Sequence, residues 1–315
     1  MGLSDRYQKA ADAGDVDGML GAGRICCDPS SGVGDRDSGI ALFAQVARDG
    51  GANALSATRE LIGLHYNDTD PSELHLWEDR AVALGDVRVA FDAAKRILAA
   101  VGNGDATGAE RAVMLLRKVT AQDSGADDAQ RGEAFYLLAD CLAEGTGVKA
   151  DVAAALTYLR AAAELGNDEA MQCLADDYFF RKLGVAPEES LDWLRRSAAA
   201  KNPISMAGLG FCLVIGVGGA VAADVPAGQA LLREAINLQC GEAAWVLADL
   251  YALKEPALET ISGISPLAVN MAQAAPLYSK AAGLGEAYAM ARYADCLQSG
   301  EGVAQNKADA LLWYQ

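Results

Sequence analysis

Chemistry in this 315-residue chain would have to rest on two histidines, seven cysteines and a recurring set of aspartates. His65 and His75 have no Cys or Asp around them at the spacing a zinc site needs, so no metal is expected. Gly145-Thr-Gly147 and Gly216-Val-Gly-Gly219 have the glycine content of phosphate loops. Such a loop needs a strand before it and Lys-Ser/Thr after it, and neither is present, so turn geometry explains these glycines. No Ser/His/Asp or Cys/His arrangement is legible, and the chain lacks a Ser-x-x-Lys motif. No cofactor is called for. Carboxylates are what recur. Asp140, Asp176, Asp249 and Asp295 each follow an apolar residue and an alanine, and Phe211 takes the same place after Leu209-Gly210.

The elements that carry these aspartates are helices. In the stretch 131–166, Ala134, Leu138, Cys141 and Leu142 fall at i, i+4, i+7 and i+8, one apolar helix face. Gly145 and Gly147 then turn the chain. A second helix follows with Ala155, Tyr158, Leu159, Ala162 and Ala163 inward, closed by Gly166. Asp140 lies roughly 100° or more from Ala134 and Leu138 on the helical wheel, which predicts that it faces outward. The same hairpin recurs in 167–201, with Leu174-Ala175-Asp176, Gly184-Val185 and Trp193-Leu194. It recurs again in 286–315, with Tyr293-Ala294-Asp295, Gly300-Glu301-Gly302-Val303 and Ala310-Leu311-Leu312-Trp313-Tyr314. A two-helix unit repeating at about 36 residues is the mark of a solenoid, because one hairpin cannot bury its own apolar face.

The pattern Ala-x3-Leu-Gly/Ala-x2-Tyr, then Gly-x-Gly-Val, then Ala-x2-Trp-Tyr-x2-Ala-Ala-x2-Gly resembles the Sel1-like repeat, a relative of the tetratricopeptide repeat. The resemblance covers nearly the whole chain. It implies an all-α, right-handed α-solenoid of about eight helix-turn-helix repeats, forming a single array over residues 1–315. The units are expected at 15–50, 51–85, 86–123, 131–166, 167–201, 202–240, 241–285 and 286–315, with 1–14 as an N-terminal half-repeat cap. Unit 51–85 departs from the turn pattern at 67–72, where Asp70-Pro71 breaks the helix and Ser72 is expected to cap the next one. Unit 241–285 departs by an insertion at 254–266. The last unit reaches Gln315 partway through its second helix, which predicts poor packing for Trp313 and Tyr314. The recurring second-helix slot of Trp77, Tyr158, Trp193, Leu231, Leu277 and Trp313 reads as packing between repeats.

The resemblance also implies a role in binding protein. The expected function is a non-enzymatic scaffold or adaptor that holds a protein or peptide on its concave face, which first helices line in tetratricopeptide-like arrays. The partner site is expected at Asp140, Asp176, Asp249 and Asp295 around Phe211, with 254–266 as a flap. A net charge of −17 repels nucleic acid and anionic membrane, so the partner is expected to be a basic or neutral protein. No apolar run is long enough to span a membrane and no leader is legible at the N-terminus, which predicts a cytoplasmic protein. A lost signal sequence would make it periplasmic or secreted, as a subunit of a secretion or envelope assembly. Cysteine-rich relatives have been credited with β-lactam hydrolysis. This chain lacks their paired cysteines: Cys141, Cys212 and Cys296 recur at one helix position and read as small buried hydrophobes and free thiols.

Overall fold

The computed structural model describes residues 9, 13–32, 35–49, 51–68, 70–102, 107–180, 183–216, 221–252 and 267–314, with backbone only at 178 and 180. Among these residues there are sixteen α-helices and no strand, arranged as eight successive hairpins. The chain divides into two compact units, Met1–Tyr158 and Leu159–Gln315. Most of the expected cap at 1–14, and the whole of 254–266, lie outside the described residues.

The first unit holds α1 (Val16–Cys27), α2 (Arg36–Asp49), α3 (Ala54–His65), α4 (Ser72–Ala83), α5 (Val87–Gly102), α6 (Ala109–Thr120), α7 (Asp128–Glu144) and the start of α8 (Val152–Glu164). Ala134, Leu138, Cys141 and Leu142 are all buried, so the apolar spacing of α7 does select its packed face. Asp70, rather than Ser72, caps α4: its carboxylate accepts from the Ser72 amide at 2.9 Å and from the Ser72 hydroxyl at 2.6 Å. An aspartate two residues ahead of a helix can reach the unpaired amide that a proline at the boundary leaves open. Ion pairs cross between hairpins as well. Glu78, only 3% exposed, accepts from Arg96 at 2.8 Å and from Arg111 at 2.9 Å. Removing either arginine would leave a buried charge under-compensated.

The second unit continues with α9 (Asp168–Phe180), α10 (Pro187–Ala199), α11 (Pro203–Ile215), α12 (Val225–Asn237), α13 (Gly241–Ala252), α14 (Met271–Gly283), α15 (Ala287–Ser299) and α16 (Lys307–Trp313). Each second helix packs on the first helix of the next hairpin, and α9, α11 and α13 also touch in succession. One core results, with Met206, Leu232, Leu247, Leu250 and Tyr278 at its centre. Trp313 is half-buried and meets Tyr293 edge-on at 5.6 Å, and Tyr314 donates to Asp295 at 2.5 Å. Trp313 thus gains aromatic surface from Tyr293 of the same hairpin, whereas Leu311, Leu312 and Tyr314 stay exposed, in line with the expectation of poor packing at the end of this helix. In the aromatic slot Trp77 and Trp193 are buried, Leu231, Leu277 and Trp313 lie against cores, and Tyr158 stacks on Phe135.

The turn glycines have a packing reason beyond their left-handed backbone. Gly147 has φ +65°, and a Cβ there would stand 2.3 Å from the Ala109 carbonyl carbon, at the start of α6 in the preceding hairpin. Gly302 has φ +76°, and its Cβ would meet the backbone at Met271, the start of α14, in the same way. The second glycine of Gly-x-Gly is thus where one hairpin's turn sits directly on the second helix of the hairpin before it. That contact repeats in both units and sets the stacking distance.

Candidate functional site

In the second unit the first helices α9, α11 and α13 touch in succession and so form one side, and the first helices carry the recurring aspartates. Asp140, in the first unit, is exposed, and both burial of its surroundings and the nearby Glu144 push its carboxyl upward. Asp176, in α9, is half-buried with its pKa raised by burial, and Gln172 one turn earlier hydrogen-bonds it. Asp295, in α15, is exposed; it accepts from Tyr314 and lies 3.8 Å from Arg292. Phe211, in α11, is half-buried against the core.

Asp249 breaks the pattern of outward carboxylates. It is 9% exposed and accepts from the Tyr278 hydroxyl of α14 and from the Tyr288 hydroxyl of α15, the latter at 3.0 Å. Arg292 closes this cluster, with its guanidinium carbon 5.6 Å from the Tyr278 ring centroid. Asp249 therefore ties three helices of two hairpins together and is structural in the sense that its oxygens are already engaged. The helical wheel of α13 alone could not show this, because both phenols come from other helices. Asp177 behaves similarly: it is 2% exposed and accepts from the Leu183 amide at 2.5 Å and the Val185 amide at 2.7 Å, folding the turn after α9.

Two acids that the aspartate register passes over stand on the same side. Glu242 lies in the first turn of α13 and Glu286 at the N-terminal boundary of α15. Burial, then Asp176, then Glu286 push the Glu242 carboxyl upward. The Glu286 side chain rests against the bare Cα of Gly241, where a Cβ would come within 2.7 Å of its Oε1. Beside them Trp245 and Tyr288 meet edge-on at 5.2 Å, and Tyr288 is 40% exposed. The sequence did hold a signal for these two acids: Glu-Ala recurs near the start of the first helix at Glu133, Glu169, Glu242 and Glu286.

The two sides of the second unit differ in how their charges are used. On the second helices Arg160 binds Glu189 through two hydrogen bonds, at 2.6 and 2.9 Å, and Arg196 binds Glu164 likewise at 3.0 Å. Lys201 meets Glu234 at 2.6 Å. On the first-helix side Asp176, Glu242 and Glu286 have no cationic partner among the described residues.

All seven cysteines are free thiols, and Cys141, Cys212 and Cys296 are buried at equivalent positions. Burial pushes the Cys141 thiol up to about 11 and the Cys212 thiol up to about 12, which makes both inert packing groups at neutral pH. Among the described residues no cluster of His, Cys, Asp and Glu could hold a metal ion, and no helix is long and apolar enough to cross a membrane.

Helical hairpins stacked through glycine turns define an all-α repeat solenoid. The Sel1 repeat model matches residues 7–15, 132–167, 203–240 and 287–315. A crystal structure of a Sel1 repeat protein from Oxalobacter formigenes is similar to this chain at TM-score 0.72 and 23% identity, over 99% of this chain and 85% of that one. A second crystal structure, of a protective antigen present in uropathogenic Escherichia coli strains and displaying an SLR fold, is similar at TM-score 0.65 and 20% identity. It is aligned over 98% of this chain, which spans 62% of the antigen's length. Among curated proteins none matches the sequence. The chain thus carries Sel1 repeats at those residues on an all-α repeat solenoid similar to the SLR fold. Sel1 repeats are typically protein–protein interaction modules on a fold that is typically a non-enzymatic scaffold.

Proposed function

We propose that the chain is a non-enzymatic scaffold whose second unit docks a basic segment of another protein on its first-helix face, the concave side in tetratricopeptide-like arrays. The observation that carries this reading is the contrast in charge use. Glu164, Glu189 and Glu234 on the second helices are held by Arg196, Arg160 and Lys201, whereas Asp176, Glu242 and Glu286 are half-buried and have no cationic partner among the described residues. Holding like charges together in a partly desolvated place costs stability, and a cationic partner relieves that cost. Trp245 of α13 and Tyr288 of α15, on the same helices as Glu242 and Glu286, and Phe211 of the neighbouring first helix α11 supply apolar contact, the usual source of affinity, while the acids speed and select the encounter. Asp140 offers a like position in the first unit, Asp295 a weaker one beside Arg292, and Asp249 contributes through its tyrosine clasp rather than by contact.

The test is affinity capture from a lysate of the source cells, read by mass spectrometry, on the wild-type chain and on Asp176→Asn/Glu242→Gln/Glu286→Gln in parallel. A protein held by the first and lost by the second supports the reading. Partners held equally by both would remove the first-helix face from the binding site. Turnover of a chromogenic cephalosporin by the purified chain would instead favour a hydrolase.

A further inference from the structure

A small pocket opens at one end of the first-helix face, where hairpins six to eight meet. It has a volume of ≈ 320 Å³ and is lined by Pro203, Ile204, Leu238, Gly241, Glu242 and Glu286, among others. Its two kinds of wall are unusual for different reasons. Ile204 and Leu238 are 38% and 48% exposed, large aliphatic side chains left in water beside a concave site. In the same lining, the carboxylates come from two separate helices, Glu242 of α13 and Glu286 at the start of α15, and neither has a cationic partner among the described residues. Gly241 has no Cβ, and that absence is what lets the Glu286 carboxylate lie against the pocket floor.

We propose that this pocket receives a lysine side chain of the docked segment, its alkyl stem along Ile204 and Leu238 and its ammonium between Glu242 and Glu286. The proposal rests on the scaffold reading above and names the partner residue that the face selects. A lysine has the required two-part chemistry, an apolar stem with a cationic tip. Its three donors radiate from one nitrogen and can reach carboxylates on different helices. A guanidinium fork instead matches both oxygens of a single carboxylate in one plane. The volume is near the lower end of ligand pockets, on the order of 300–1,000 Å³, which suits one side chain and not a folded domain. Glu242 is already pushed upward by burial and by its acidic neighbours, so an incoming ammonium replaces a repulsion with an attraction.

The experiment is an NMR titration of the full chain with N-acetyl-lysine methylamide, compared with the norleucine analogue and the Nε-acetylated lysine analogue. The lysine compound is expected to shift the methyl signals of Ile204 and Leu238 and the amide of Gly241 in a saturable way. Glu242→Gln with Glu286→Gln should weaken this by about tenfold or more. Leu238→Ser, at an exposed position, should weaken it without unfolding the chain. Equal binding of the norleucine or acetylated analogue would overturn the proposal, as would unchanged binding to the double glutamine variant. The two readings fail separately. A captured partner that responds to Asp176→Asn but not to the double glutamine variant overturns the lysine pocket alone. Failure to capture any protein, with the lysine titration intact, overturns the scaffold reading.

Discussion

Gly147→Ala and Gly145→Ala make a matched pair, because both glycines sit two residues apart in one turn with left-handed backbones, φ +65° and +78°. An alanine at either site carries the backbone penalty of that region, about 1–2 kcal/mol. Beyond this the two sites diverge. At Gly145 the nearest neighbours of an added Cβ are Ala150 and the Val148 carbonyl oxygen, at 3.5 Å, an ordinary contact. At Gly147 the Ala109 carbonyl carbon and oxygen lie at 2.3 and 2.4 Å and the Glu110 amide nitrogen at 2.6 Å. All three are backbone at the start of α6, so no side chain can swing away. Relief requires the turn to retreat by about 1 Å from the preceding hairpin, which strips close packing from that interface and adds a further penalty of roughly 1–3 kcal/mol. Urea unfolding followed by far-ultraviolet circular dichroism should place Gly147→Ala well below Gly145→Ala in midpoint. Gly302→Ala should behave like Gly147→Ala, since it meets Met271 in the same way. Equal midpoints for the two members of the pair would refute the claim that this turn sets the distance between hairpins.

Trp193→Ala should destabilise by about 3–5 kcal/mol, because the indole is buried and the Arg196 guanidinium stacks 4.1 Å from its centroid; a loss below ~1 kcal/mol would show an exposed ring. Ser190→Ala should be neutral or stabilising by up to about 1–3 kcal/mol in the same unfolding assay. The Ser190 hydroxyl is fully buried without a hydrogen-bond partner among the described residues, and Ala155, Gly228 and Ala274 occupy its place in other hairpins. Glu242→Gln should raise the melting temperature at pH 7. A carboxyl whose folded pKa is raised above its unfolded value costs stability while ionised. That cost disappears as pH falls through the raised folded value toward the unfolded value of 4.5, so the advantage of glutamine should vanish by pH 4. A stability advantage independent of pH would contradict this assignment.

The hairpins were legible because their apolar spacing and glycine turns repeat, and repetition turns weak local signals into a strong one. The helices recur at the spacing read from the sequence, although α7 begins at Asp128, ahead of the expected unit start at 131, and Cys141, Cys212 and Cys296 are buried at one register. Even a divergent turn such as 67–72 kept its place, although Asp70 rather than Ser72 supplies the cap. What a register cannot carry is the identity of a neighbour. Asp140 and Asp249 share a helix position, yet one is exposed and the other buried. The difference arises from Tyr278 and Tyr288, which lie 29 and 39 residues further along the chain. Glu242 and Glu286, which have no cationic partner among the described residues, belong to helix starts, where a glutamate ordinarily reads as a favourable interaction with the helix dipole.

The most direct measurement of the central claim is the association rate of a captured partner as a function of ionic strength. It should be made on the wild-type chain, on Asp176→Asn/Glu242→Gln/Glu286→Gln, and on a control in which the paired acids Glu164 and Glu234 are neutralised. Unpaired acids on the first-helix face predict fast, steeply salt-dependent association for the wild type and the control, with a slower and flatter dependence for the triple variant alone. Identical salt slopes for all three proteins would contradict the claim.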